Sequence, residues 1–358
     1  MKIKDNLSTF QKSLIYLTAL LLILGNGTIY THLPGLSIID AIVTFFPIVT
    51  LLLLIVSRKV LLSTERVNYL FFMNIYLIFY LLISVSNEVL SFLTLIFFNL
   101  LLIYFYLFEN KDAPYLLIAY RNIIVYIAAI SLVFWVGGSL LKIIPSSGSV
   151  ISTWGQRDDP LVLNNYYWLY FDSREVFFLG GWLIHNVSIF TERAFAAYSF
   201  MIGLIYELFF EKKKSKLRII VLLTAIASTT STTGAISAII SLFFFFRQSS
   251  AKSRYRWLSR ASIIPLLAVL VYYAVDYLLL SRASMGHSTE SRTNDFLNGI
   301  AAWTESPIIG YGFANSKILA NMGTGYSNSI TQILGQGGIM LALLYVTKVS
   351  HLLKKPIK

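Results

Sequence analysis

The sequence predicts an all-α polytopic integral membrane protein, and three observations predict it. Only 13% of its residues are charged, against roughly 25% in ordinary soluble domains. Hydrophobic residues make up 56%, and the mean hydropathy is +0.70. Apolar runs recur near the ~20 residues that a helix needs to cross a bilayer. They are solid runs, such as Leu17–Leu24 and Leu51–Val56, rather than the weak alternation of a β-barrel.

Ten spans are expected, at about 13–30, 37–57, 67–87, 89–108, 122–144, 194–210, 217–230, 232–247, 261–281 and 329–347. The first follows Lys2 and Lys4, which hold the N-terminus inside. It is read as a span rather than a signal peptide, because no small-residue cleavage site follows and a second span begins within a few residues. The run Leu217–Phe246 is 30 residues long and could be one span or two. Glu211–Lys216 before it and Arg247–Arg260 after it are both rich in lysine and arginine, so both flanks belong in the cytoplasm. The run must therefore go out and return. Its turn is the polar stretch Ser228-Thr229-Thr230-Ser231-Thr232-Thr233-Gly234. Two spans of about 14–16 residues are short, which a turn buried among other helices permits.

This topology puts 22 of the 29 lysines and arginines inside with six of the 17 carboxylates, and seven against 11 outside. The net charge of +12 is thus explained by membrane-flanking turns, and nucleic acid is rejected as a partner. Both termini are cytoplasmic, in a cytoplasmic (inner) membrane. The chain reads as a single membrane domain over 1–358, with a first large outer loop at 145–193 and a second at 282–328. It has no internal repeat. There are no cysteines, so disulfides and thiolate chemistry are excluded. The four histidines show no metal-binding spacing, and no metal site or cofactor is expected.

Chemistry is expected in the two loops. The first ends in His185-Asn186-Val187-Ser188-Ile189-Phe190-Thr191-Glu192-Arg193. An acid and a guanidinium at a membrane boundary are partly desolvated, which raises the value of each charge. The plainer alternative is a pair anchoring a helix start. The second loop holds Arg292 and Asp295 at the start of an apolar pattern, Phe296, Ile300 and Trp303, which predicts a short surface helix. Arginine suits phosphate through its planar fork of donors; the alternative is a snorkelling arginine with a capping aspartate. Gly310-Tyr311-Gly312 predicts a tight, close-packed turn. Asp158-Asp159 has too few companions for a metal site. Tyr166, Tyr167, Trp168, Tyr170, Phe171 and Trp182 form either a sugar-stacking surface or, the favoured reading, an interfacial aromatic belt.

Over roughly Val187–Val346 the chain resembles the O-antigen polymerase and ligase superfamily, in particular the Wzy-type polymerases of capsular and exopolysaccharides. Four stretches in order carry the resemblance: Ser188-Ile189-Phe190-Thr191-Glu192; Ser231-Thr232-Thr233-Gly234; Ser291-Arg292 with Trp303, Pro307 and Gly310-Tyr311-Gly312; and Ser327-Asn328 with Gly335-Gln336-Gly337-Gly338. The first half matches in hydropathy alone. The resemblance implies a glycosyltransferase that joins polyprenyl-diphosphate-linked oligosaccharide repeat units outside the membrane, without nucleotide sugar, cofactor or metal. It implies that Arg292 binds the diphosphate and that Glu192 acts as base or orients the acceptor. Arg174, His185, Arg193, Asp295 and Asn328 would bind substrate. Membrane lipid is an expected partner, and the resemblance allows a chain-length regulator. The family often has arginine where His185 stands and glycine where Ser188 stands. Ligases commonly carry histidine where Ser327 stands, which favours a polymerase over a ligase. The chain stops soon after the tenth span, where relatives often continue. The rival from another class is a lipid-linked oligosaccharide flippase or transporter. Such proteins often show internal repeats around a midplane site, whereas the ionisable residues here cluster at the outer edge.

Overall fold

The computed structural model describes residues 7–35, 37–57, 115–154, 161–178, 181–211, 213–249, 286–312 and 329–354, with scattered helical positions between 64 and 104. The expected spans 67–87 and 89–108 lie largely outside the described residues, and 261–281 lies outside them entirely. Most of the described residues are helical. It divides into two compact units, one from residues 1–59 with 108–278 and the other from 60–107 with 279–358.

In the first unit, α1 (Thr9–Leu24) opens with a reciprocal cap between Ser8 and Gln11. The expected span continues to residue 30, but the helix stops at Leu24. Gly25-Asn26-Gly27 follows, with Gly27 at φ 64°, and a 3₁₀ turn covers Ile29–His32. Helix α2 (Ser37–Ser57) matches its expected span. Its buried stripe is Val43, Ile48, Leu51 and Leu54. The opposite side exposes Phe45, Phe46, Val49, Leu52, Leu53 and Val56. So wide an apolar surface suits lipid rather than water. Gln11 Nε2 donates to the Ser57 carbonyl at 3.1 Å, which ties the start of α1 to the end of α2.

Helix α3 (Tyr115–Phe134) runs into a π-helical turn at Trp135–Leu140. Helix α4 (Arg193–Ile205) likewise ends in a π turn, Tyr206–Phe210. Helices α5 (Lys216–Ser228) and α6 (Thr232–Ser249) are separated at the serine–threonine turn, so the long run is divided as the flanking charges required. Among the described residues three helices, Ile38–Ser57, Tyr115–Leu140 and Arg193–Phe210, are long and apolar enough to cross a membrane.

The first large loop is not irregular. Four antiparallel strands, β1 (Gly148–Ser152), β2 (Leu161–Tyr166), β3 (Tyr170–Phe178) and β4 (Gly181–Asn186), form a meander in sequence order. This corrects the all-α expectation. The sheet is seated on the end of α3. Gly138 lies so close to the Tyr166 ring that a Cβ there would sit 2.6 Å away. Trp135 Nε1 donates to the Ile184 carbonyl at 2.7 Å. Buried Asp172 accepts hydrogen bonds from Ser139 Oγ, Asn164 Nδ2 (3.1 Å) and Tyr166 OH (3.2 Å). Because Ser139 spends its hydrogen on Asp172, Tyr170 OH donates to Ser139, at 3.0 Å. Burial and the Asp172 charge push both tyrosine hydroxyls up, so they remain donors.

At the other end of the bundle, Arg121 is buried between Glu207 and Glu211, the latter at 2.9 Å. Ser215 N–H donates to the second Glu207 oxygen at 2.7 Å. Arg121 also lies over the Tyr206 ring, 5.2 Å from its centroid. This cluster binds α3, the π turn after α4 and the start of α5 beside the basic segment 212–218.

The second unit is built from α7 (Gly286–Glu305) and α8 (Ser329–Lys354). The expected surface helix is present and longer than its apolar pattern. Its buried face, however, is Asp295, Gly299 and Ala302, while Phe296 and Leu297 are exposed. The reason is close approach: a Cβ on Gly299 would meet the Thr331 Cβ at 2.5 Å. Helix α8 breaks at Gly338, φ 58°. Residues 307–312 stitch the break, with Tyr311 N–H to the Gly335 carbonyl (2.9 Å), Gly312 N–H to the Gln336 carbonyl (2.8 Å) and Ile339 N–H to the Pro307 carbonyl (2.9 Å).

Two stability predictions follow from these contacts. Gly310 has φ 73° and no room for a side chain, since a Cβ would lie 2.4 Å from the Gln336 backbone; Gly35 has φ 78° in open space. Gly310→Ala should therefore cost about 2 kcal/mol or more, and Gly35→Ala only about 1 kcal/mol. Equal shifts in thermal unfolding in detergent would contradict the stitched break. In the same assay Arg121→Met should cost about 3 kcal/mol or more, because it strands buried carboxylates. Adding Glu207→Gln should recover part of that loss. An Arg121→Met protein as stable as the parent would show the cluster to be idle.

Candidate functional site

The sheet end of the first unit gathers the first-loop candidates. After β4 the chain passes through Val187–Thr191 as a short extended piece clamped between the sheet and the segment after α1. Ile29 N–H donates to the Ile189 carbonyl at 2.9 Å, and Thr191 N–H to the Gly27 carbonyl at 2.9 Å. Phe171 N–H holds the Ser188 carbonyl at 3.0 Å. Phe190 is fully buried against Phe200. Ser188 sits at φ 56°, and its buried Oγ has no hydrogen-bond partner. A glycine there would adopt the same backbone without burying a hydroxyl.

Asn186 is wholly buried. Its Nδ2 donates to Ser131 Oγ (3.2 Å) and Ser228 Oγ (2.9 Å), and its Oδ1 accepts from Ser188 N–H (3.0 Å). His185 is 4% exposed. One ring nitrogen, Nε2, lies 3.1 Å from Arg193, and Nδ1 is bonded to Thr230 Oγ1. Arg193 can only donate, so Nε2 is the acceptor and Nδ1 carries the hydrogen. Thr230 Oγ1 then accepts from His185 and donates to the Thr229 carbonyl at 2.8 Å. This arrangement requires a neutral imidazole. Burial, reinforced by the Arg193 charge, pushes the His185 pKa down to about 4.

Glu192 is the exposed N-cap residue of α4, but its carboxylate does not cap the helix. Its Oε1 accepts from Trp154 Nε1 at 2.9 Å. Glu192 and Arg193, adjacent in sequence, are thus turned to different partners. With His185 neutral, the ionic pattern is one guanidinium and one carboxylate at the first residues of α4. Burial lowers the pKa of nearby His32, opposed by Asp40.

The remaining candidates are placed less closely together. Arg174 lies in β3 and Arg292 in α7, and the side chains of both are outside the described residues. Asp295 is buried at 8% exposure on the α7 face that meets α8. Asn328, Ser327 and Asp158-Asp159 lie outside the described residues. Among the aromatics, Tyr166, Tyr170 and Phe171 are buried in the sheet and cannot form a sugar-stacking surface or a belt; Tyr167 and Trp168 are exposed at a hairpin tip. Among the described residues, no three His, Asp or Glu side chains converge as metal ligands. Trp154 and Thr230 escaped the sequence reading. Trp154 lies 38 residues from its partner Glu192, and a lone loop tryptophan carries no pattern.

Comparison with family models, curated proteins and solved structures returned no match.

The His185 geometry fixes a pH response. Its folded pKa lies below the unfolded value of about 6.5, so the unfolded chain takes up the proton first as pH falls. The contribution of His185 is complete above pH 6.5 and is lost as pH falls through about 4. Thermal unfolding between pH 7.5 and 4 should fall less steeply for His185→Gln than for the parent. Parallel curves would contradict the neutral, buried imidazole.

Proposed function

We propose that the chain is a membrane glycosyltransferase of the Wzy type, a polymerase of polyprenyl-diphosphate-linked oligosaccharide repeat units. In this reading ten spans cross the cytoplasmic membrane, both termini are cytoplasmic, and the sheet end faces outward. The basic segment 212–218 at the opposite end supports that orientation through the positive-inside rule.

The observation that carries the reading is that residues in or beside the four stretches come together within each unit. In the first unit, the turn preceding Ser231-Thr232-Thr233-Gly234 holds His185 and Asn186 through Thr230 and Ser228. Gly234 also abuts Ala197 just beyond Glu192, where a Cβ would lie 2.7 Å from the Ala197 Cβ. In the second unit, Gly310-Tyr311-Gly312 is hydrogen-bonded to Gly335 and Gln336. In each unit, segments remote in sequence are thus joined at or beside these stretches, which supports the reading.

The proposed reaction breaks the bond between the anomeric carbon of the growing chain and its diphosphate carrier. A hydroxyl of the incoming unit forms the new glycosidic bond and loses its proton. Glu192 takes that proton or orients the hydroxyl. Arg292 binds the departing diphosphate, which carries the electron pair of the broken bond. Arg193, held by His185, adds positive charge beside Glu192. Arg174, Asp295 and Asn328 are proposed as further substrate contacts.

Deleting the gene in its host and sizing the lipid-linked glycans tests the proposal. Single repeat units should accumulate and polymer should disappear. The parent gene should restore polymer, and Arg292→Ala should reduce it at least tenfold, as about 1.4 kcal/mol of lost transition-state binding would. Long lipid-linked chains that never reach an acceptor would make the protein a ligase. Units trapped on the inner leaflet would make it a flippase, and an unchanged profile would remove glycan chemistry altogether.

A further inference from the structure

We infer that Trp154 is a positioning residue for Glu192, an inference that rests on the glycosyltransferase reading above. The free N–H groups of a helix's first turn attract a side-chain acceptor at the N-cap. Glu192 has the extended backbone of an N-cap, φ −136° and ψ 150°, yet its side chain makes no capping bond. It is drawn instead to the Trp154 indole at 2.9 Å. Its other oxygen, Oε2, has no partner among the described residues.

The indole is itself fixed. Trp154 N–H donates to Ser152 Oγ at 3.2 Å. Thr153, one residue earlier, is anchored to the His32 carbonyl through its N–H at 2.9 Å and its Oγ1 at 3.1 Å. The indole meets the His32 ring edge to face at 4.7 Å and the Phe195 ring at 5.7 Å. Phe195 is in turn seated over Gly27, where a Cβ would lie 2.9 Å from its ring. Three chain segments, the 3₁₀ turn after α1, the end of β1 and the first turn of α4, therefore converge to aim one N–H.

The choice of donor matters chemically. An indole N–H is neutral and can only donate. It fixes the direction of one carboxylate oxygen and adds no charge of its own beside the carboxylate. Oε2 is left to meet the acceptor hydroxyl. Trp154 thus supplies orientation, and its contribution appears in the chemical step rather than in binding.

The test uses membranes carrying the full chain, with lipid-linked repeat units accumulated in the deletion strain as the probe. Trp154→Phe keeps a ring and removes the N–H. It should lower kcat about tenfold with KM unchanged. Trp154→His, which retains a ring N–H, should recover part of the loss. In a Glu192→Gln background Trp154→Phe should make no further difference, because the oriented base is already gone. Glu192→Asp, shortened by one methylene and so drawn away from the indole N–H, should also be low in kcat with KM unchanged; it serves if Trp154→Phe fails to accumulate. A Trp154→Phe protein with normal kcat, or one altered only in KM, would overturn the inference while leaving Glu192 in place. Full activity in Glu192→Gln would instead remove the role given to Glu192 itself.

Discussion

Asn186 holds the sheet end of the first unit together. Its amide is buried where β4 meets the helices, and each of its hydrogen bonds reaches a different element: Ser131 on α3, Ser228 at the end of α5 and Ser188 in the turn before α4. A buried amide left unpaired costs free energy of the same order as the bonds it would have made. The four elements can therefore come together only in an arrangement that satisfies it. His185, the preceding residue on the opposite side of β4, then reaches Thr230 and Arg193. The direction of the first arginine in α4 is thus set by a residue in the sheet and a turn between two other helices.

The same rule shapes the second unit with backbone in place of side chains. Breaking α8 at Gly338 frees carbonyl groups that a membrane environment would leave unsatisfied. The segment 307–312 supplies the missing donors, and it can approach only because glycines stand at 310 and 338. A small-residue seam, Gly299 and Ala302 against Thr331 and Gly335, brings α7 close enough for that segment to reach.

Much of this was legible in the sequence. Solid apolar runs located α2, α4 together with its π turn, and α6 within a residue or two, and the charges around Leu217–Phe246 separated α5 from α6. Gly310-Tyr311-Gly312 announced a close-packed turn. The sheet was hidden because the hairpin between β2 and β3 lacks the usual signal. Tyr167 and Trp168 take φ 56° and 61°, a conformation normally left to Gly, Asn or Asp. In a chain so rich in aromatics, that run read as a membrane-interface belt. The packed face of α7 carried no signal in the sequence because close helix contact selects small residues, whereas the periodicity search counts large ones. The union of Arg121 with Glu207 spans 86 positions, and no local pattern carries that distance.

The central proposal is that sugar transfer proceeds with loss of a diphosphate carrier and without a nucleotide sugar. It is met most directly by purifying the full chain into lipid nanodiscs, adding lipid-linked repeat units alone, and counting polyprenyl diphosphate released against glycosidic bonds formed. The account predicts one carrier released for each bond, with glycans lengthening by whole repeat units. Release without lengthening, or no release at all, would contradict it.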